Sequence, residues 1–280
     1  VSAPSRLSVL AVALLLPLAA ACGGGSDDAA PGAEADERSA AEVLDDAVDA
    51  TLGIERTSVE LLAMLDIDGQ QLELGAEGRV DYEAVVADVT FSTEQQGTTQ
   101  SLQIIADGET AWVSGEGAAV AAFPEGFTYL SGPADELGAA SSFDPIDLVG
   151  VVLALRGAEE VEGGDTEEVD GVESRVYTTT VPYVDAVEGA GDDAEAFQSA
   201  LSLTGDADVA DLEIEVAVGP DDVVRRLELD IEAGDVPVGG SYTLTLTGVG
   251  EDVDVPEAPP ADEVATGPEA EALFTQLLAS

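Results

Sequence analysis

Cys22 is the only cysteine in the chain, and it sits directly after Ala19-Ala20-Ala21 and before Gly23-Gly24-Gly25-Ser26. A thiolate is a strong nucleophile, but catalytic use needs a base or a cation beside it. Histidine and lysine are both absent, so most nucleophile–base pairs are excluded, as are zinc sites built on His and Cys. The remaining chemistry is that of carboxylates, with 59 Asp and Glu against eight arginines and a formal net charge of -51. Paired carboxylates can cleave glycosidic bonds, yet at this density close pairs arise by chance and no sequence feature selects one. Asp66-Ile67-Asp68-Gly69 and Asp206-Ala207-Asp208 offer oxygen ligands for calcium. Neither continues into the twelve-residue loop with its closing Glu, and both also read as surface turns. The residues therefore point away from an enzyme, from a metal site and from any cofactor.

The setting of Cys22 gives it a different role. Arg6 leads an apolar run, Leu7 to Leu18, of about a dozen residues, and small residues follow, as in a secretory signal peptide. The run is shorter than the ~20 residues a membrane span requires, and Pro17 would break a spanning helix. The end of the segment resembles a bacterial lipobox, in which diacylglyceryl is added to the cysteine sulfur and cleavage leaves that cysteine at the N-terminus. One position departs from the pattern: Ala19 stands where Leu is usual, with Leu18 one place earlier. The expectation is a signal peptide over 1–21, a lipid anchor on Cys22 and a flexible acidic linker to Arg38. Such a linker reaches roughly 20 Å, and repulsion from an anionic bilayer is screened within ~8 Å at physiological salt. The expected place is the extracytoplasmic face of the cell membrane, held there through Cys22. So acidic a chain has no cationic surface for nucleic acid.

The elements that follow carry two periods. Ser39 and Glu42 form a capping box for a helix to Leu52, with Val43, Leu44, Ala47 and Val48 on one stripe and Gly53 as the stop. From Thr57 the period is two: Val59, Leu61, Ala63, Leu65 and Ile67 make a strand, with turns expected at Asp68-Gly69, Asp107-Gly108 and Asp170-Gly171. Further strands fall at Leu72 to Tyr82, Val85 to Phe91, Ser101 to Ala106, Glu109 to Ser114, around Phe127 and Tyr129, and at Thr166 to Val181. The last three are at Leu212, Leu227 and Tyr242, where Glu213, Glu215, Glu228, Asp230, Thr243 and Thr245 leave one face wet. Phe143 to Gly157 reads as an α-helix, opened by Asp144-Pro145, closed by Gly157 and apolar nearly all round, which predicts burial on more than one side. Tyr183 to Glu188 and Ala194 to Leu203 read as helices, with Phe197, Ala200 and Leu201 inward. Pro256, Pro259 and Pro260 end the fold, leaving a Pro-rich tail over 256–280 in which Pro268 starts a last helix. The architecture expected is α+β: one domain over 39–255, a single antiparallel sheet whose apolar face is covered by three or four helices.

The order of lipobox, acidic linker, capped helix, meander and Asp144-Pro145 helix, then Glu167 to Glu173 leading to Tyr177, then Val253-Asp254-Val255-Pro256 and Pro259 to Val264, resembles the actinobacterial envelope lipoproteins of the LppX/LprG type, related in fold to LolA and LolB. The resemblance covers nearly the whole mature chain, but its motifs are turns and caps. It implies a strongly curved sheet forming a half-barrel, with helices on the concave side and a cavity for the acyl chains of a lipid or glycolipid. On that reading Ile146, Val149, Leu153, Val48 and Trp112 are the candidate ligand contacts, Trp112 standing equally well as a core residue. A second reading is an envelope adaptor that docks a protein on its sheet or acidic face. The anchor gives a direct expectation: Cys22→Ser moves the protein from the membrane fraction to the soluble one. Retention of an exported mutant on the membrane would refute lipidation.

Overall fold

Period-two sequence becomes sheet and stripe sequence becomes helix almost throughout the residues that the computed structural model describes: 38–67, 70–95, 97–117, 123–134, 149–201, 209–233 and 238–278. Ser39 caps helix α1 (Ala40–Leu52), its hydroxyl accepting from the Glu42 amide at 3.2 Å while the Glu42 carboxylate accepts from the Ser39 amide at 2.8 Å. The strands are β1 (Arg56–Ile67), β2 (Gln70–Asp81), β3 (Val86–Gln95), β4 (Thr98–Asp107), β5 (Thr110–Glu116) and β6 (Tyr129–Pro133). They continue with β7 (Val161–Val169), β8 (Val172–Pro182), β9 (Val209–Val218), β10 (Val224–Ala233), β11 (Val238–Thr247) and β12 (Val264–Ala265). Among the described residues the further α-helices bounded at both ends are α2 (Tyr183–Ala190), α3 (Ala194–Ala200) and α4 (Pro268–Leu278).

All twelve strands belong to one sheet, in the order β12-β6-β5-β4-β3-β2-β1-β11-β10-β9-β8-β7. Two meanders, β1 to β6 and β7 to β11, meet where β1 pairs with β11, Leu61 opposite Leu244. Every pairing is antiparallel except the short β12–β6 contact. The fold is thus α+β with one mostly antiparallel sheet, as the periodicity implies. Its inner face carries the core, including Val59, Ala63, Val80, Val89, Ile104, Val113, Leu212, Leu227 and Leu244, and its outer face carries the carboxylates.

Three expectations are corrected. Over the described part of the Phe143–Gly157 helix, residues Gly150–Gly157 form a 3₁₀ helix. Val151 to Leu155 are all buried, so an apolar pattern on every side held no period to separate one helix type from the other. Phe143 to Leu148, with Ile146, lie outside the described residues. The second correction is at Val85, which belongs to the turn before β3 with φ 53°; the Asp81 carboxylate accepts from the Ala84 amide and holds that turn. The third is the end of the domain. The segment after Val255 is integral to the fold: β12 pairs with β6, and α4 packs on β6 with Phe274 fully buried. Gly132 makes this fit, because a Cβ there would lie 2.4 Å from the Phe274 ring. Phe274→Ala is expected to cost about 3–5 kcal/mol, as for other buried aromatics, and to lower the melting temperature measurably. An unchanged melting curve would mark the tail as an appendage.

Candidate functional site

The helical layer sits over one half of the inner face. The 3₁₀ segment is its centre, packing against α1, α2, α3 and β8. Two glycines allow the close approach to α2: a Cβ on Gly157 would lie 2.9 Å from the Ala186 amide nitrogen, and one on Gly189 3.0 Å from the Arg156 carbonyl carbon. Polar ties fix the layer to the sheet. The Thr51 hydroxyl donates to the Ala47 carbonyl at 2.6 Å and accepts from the Val224 amide at 3.0 Å, joining α1 to β10. The Tyr242 hydroxyl donates to the Leu201 carbonyl at the end of α3. Tyr183 stacks on Phe197 at 6.3 Å between ring centres, and burial pushes the Tyr183 hydroxyl pKa above its ordinary value.

Across β1 to β5 the inner face is graded. Register places its side chains in rows about 7 Å apart along the strands, two residues per step. At the end toward the β2–β3 turn the row is Val80, Ala87, Ala106 and Ala111, all buried. The next is Val59, Gly78, Val89, Ile104 and Val113, in which every side chain is again buried. The third row, Leu61, Ala76, Phe91, Leu102 and Gly115, changes character, because Leu61, Phe91 and Leu102 are only half-buried. In the fourth, buried Ala63 and half-buried Leu74 stand beside half-buried Thr93 and Gln100; beyond them half-buried Leu72 pairs with buried Leu65, so the opening lies over β2 to β4. The result is an apolar floor, sealed at one end and opening toward a polar, uncharged margin at the other. This floor is the candidate site.

The structure divides the sequence-derived candidates. Val48, Val149 and Leu153 join one buried core cluster, each at most 2% exposed. Trp112 is elsewhere, on the outer face with Ile105, Val264 and Tyr129, against the C-terminal strand. Cys22 and Ile146 fall outside the described residues. The half-covered Leu61, Leu72, Leu74, Phe91 and Leu102 were legible as strand residues, but only register shows that they adjoin. The available sequence signal was the change from apolar to Thr and Gln at Thr93 and Gln100 along otherwise alternating strands.

The outer face is polar. Glu160, Glu162, Thr178, Thr180, Glu213 and Asp230 line a groove of about 510 Å³. Beside it Arg226 bonds Glu167 at 3.0 Å and Glu215 at 2.8 Å, and also Glu228, tying three strands. Burial, the largest single influence, pushes the Arg226 pKa down, but Glu228, Glu167 and Glu215 together hold it above its ordinary value. A raised folded-state pKa leaves this contribution intact at every pH below the ordinary guanidinium range, so it persists at every ordinary pH. Among the described residues no helix is long and apolar enough to cross a membrane.

A single large antiparallel sheet with helices over one apolar face defines the class of protein. Solved structures of that kind are similar to this chain: the lipoprotein LppX of Mycobacterium tuberculosis, 18% identical with a TM-score of 0.44, covers 78% of this chain and 100% of its own. LprF of Mycobacterium bovis is 14% identical, with a TM-score of 0.45 over 78% of this chain and 95% of its own. A LolA superfamily protein of Nitrosomonas europaea is 8% identical at a TM-score of 0.22, over 78% and 94%. No protein-family model and no curated protein matches the chain.

With a net charge of -51 the surface repels itself. The melting temperature is therefore expected to rise as the Debye length falls from ~30 Å at 0.01 M to ~3 Å at 1 M salt. Arg226→Gln should lower it more at low salt than at high. A melting temperature flat in salt would contradict the self-repulsion argument.

Proposed function

We propose that this is a membrane-anchored envelope lipoprotein, held at the extracytoplasmic face through Cys22, that binds and carries lipid or glycolipid acyl chains without catalysing a reaction. The observation that carries the proposal is the half-covered apolar floor of Leu61, Leu72, Leu74, Phe91 and Leu102, continuous with the sealed core. Apolar area left partly in water is a standing free-energy deficit of ~25 cal/mol per Å², and an alkyl chain can remove it without asking for any hydrogen bond. The helical layer over β8 to β11, with Val48, Val149 and Leu153 in the same buried cluster, stands beside this floor as its candidate wall.

Lipid is expected to co-purify with protein expressed in its own envelope, detected by mass spectrometry of organic extracts. Leu102→Asp should abolish that lipid, because a carboxylate among alkyl chains has no partner and must be desolvated. Leu102→Ala should retain most of it, removing only three carbons at ~0.8 kcal/mol each. Circular dichroism on the same samples separates loss of ligand from loss of fold. A wild-type protein that stays free of lipid in its native envelope would overturn the proposal and leave the adaptor reading.

A further inference from the structure

The placement of positive charge bears on which lipid the floor can accept, given that it accepts one. The chain has eight cationic side chains, all arginine, and those from Arg38 onward lie among the described residues. Every arginine on the sheet sits in the half toward the sealed end: Arg56 opposite Asp81, Arg79 opposite Ser58, Arg175 opposite Val218, and Arg226 opposite Ala217 and Thr245. Arg225, next to Arg226 at the start of β10 and so at the same end, is bonded to Asp221 at 2.6 Å. Most are also committed: Arg38 to Asp46 and Asp222, Arg56 to Asp81 and Asp252, Arg156 to Asp49, and Arg226 to three glutamates. Arg175 lies over the Tyr177 ring at 5.4 Å.

The open end is the reverse. Its inner margin presents the Thr93 hydroxyl and the Gln100 amide, residues directly opposite each other on β3 and β4. Around them the same strand ends carry Glu73 opposite Glu94, and Glu116 opposite Ser101. By strand alternation those glutamates lie on the outer face, so a headgroup held at the inner margin meets a hydroxyl and an amide, with carboxylates and no arginine on the strand ends nearby. A phosphate there would have no cation to pair with, and charge-assisted bonds from arginine are what phosphate recognition ordinarily uses.

We propose, resting on the lipid-holding reading, that the open margin at Thr93 and Gln100 selects lipids with an uncharged, hydroxyl-rich headgroup and rejects anionic phospholipids. The chains are held alike in both cases; the discrimination is electrostatic and local to the margin.

The test uses purified full-length protein equilibrated with neutral-detergent micelles holding equal amounts of a galactosyl diacylglycerol and a phosphatidylglycerol with identical acyl chains. Bound lipid is read by mass spectrometry. At about 0.01 M salt the galactolipid should load at least tenfold more, and the ratio should shrink toward one at about 1 M, where charges are screened beyond ~3 Å. Gln100→Arg, with Thr93→Arg as a second variant, should cut the low-salt ratio severalfold. Thr180→Arg, an exposed outer-face position with the same change in net charge, should leave it unchanged. Equal loading at low salt overturns the selectivity, and so does a Thr180→Arg effect as large as that of Gln100→Arg. Loading of neither lipid overturns the lipid-holding reading itself.

Discussion

The structure depends on one constraint: a sheet of twelve strands has a single apolar face, and that face must be kept from water. In a two-sheet sandwich the faces cover each other. Here the outer face carries Glu60, Glu77, Asp88, Glu213, Glu228 and Asp230 and cannot serve. Cover must come from helices, and those described are short. They close over β8 to β11, where Leu212, Val216, Leu227, Leu229 and Leu244 are essentially inaccessible. Over β2 to β4 closure fades from row to row, while on β1 Ala63 and Leu65 stay buried. The graded floor is thus the place where the demand for cover outruns the described helices.

The same constraint explains how a chain so acidic folds. Its carboxylates lie almost all on the wet face and in the turns, where water solvates them; the buried Asp81 is instead held by Arg56 and the Ala84 amide. Few arginines remain, and the structure spends them at strand ends and helix junctions. Arg226 ties β7, β9 and β10, Arg56 ties the start of β1 to the end of β2, and Arg156 ties the 3₁₀ segment to α1. Exposed pairs contribute little individually. Their placement matters more, because it leaves the opposite end of the sheet without positive charge.

Local chemistry made most elements legible. The capping box at Ser39 and Glu42 is formed, and Asp170-Gly171 makes a two-residue turn with φ 49° and 76°, the positive angles that such a hairpin demands. Strand alternation also placed Trp112 opposite in direction to Ala111 and Val113, which is where it is found. What alternation could not say is what lies on the far side. Trp112 packs against Val264 because the chain returns some 150 residues later, an event with no local trace. The β1–β11 closure and the docking of α4 are non-local in the same sense. The 3₁₀ segment failed for another reason, that burial on every side erases the period from which helix type is read.

That return of the chain does more than fill space. Strand β6 would otherwise be the exposed edge of the sheet, a template for pairing with another chain. The two residues of β12 cover its start in parallel register, and the Ser131 hydroxyl donates to the Ala265 carbonyl at 3.2 Å. Trp112 and Ile105 grip β12 from the outer face, while Phe274 grips β6 from the inner one. One edge is thereby fixed from both sides, and the half-covered rows two strands away rest on a rigid margin. Energetically the floor alone is a weak site. Fully burying a Leu or Phe is worth ~1.5–3 kcal/mol, and these side chains are already half-buried, so five of them supply only a few kcal/mol. The larger share must come from the ligand's own methylenes, at ~0.8 kcal/mol each. A site built this way discriminates by chain length and by what its margin tolerates, and hardly at all by the identity of the chain.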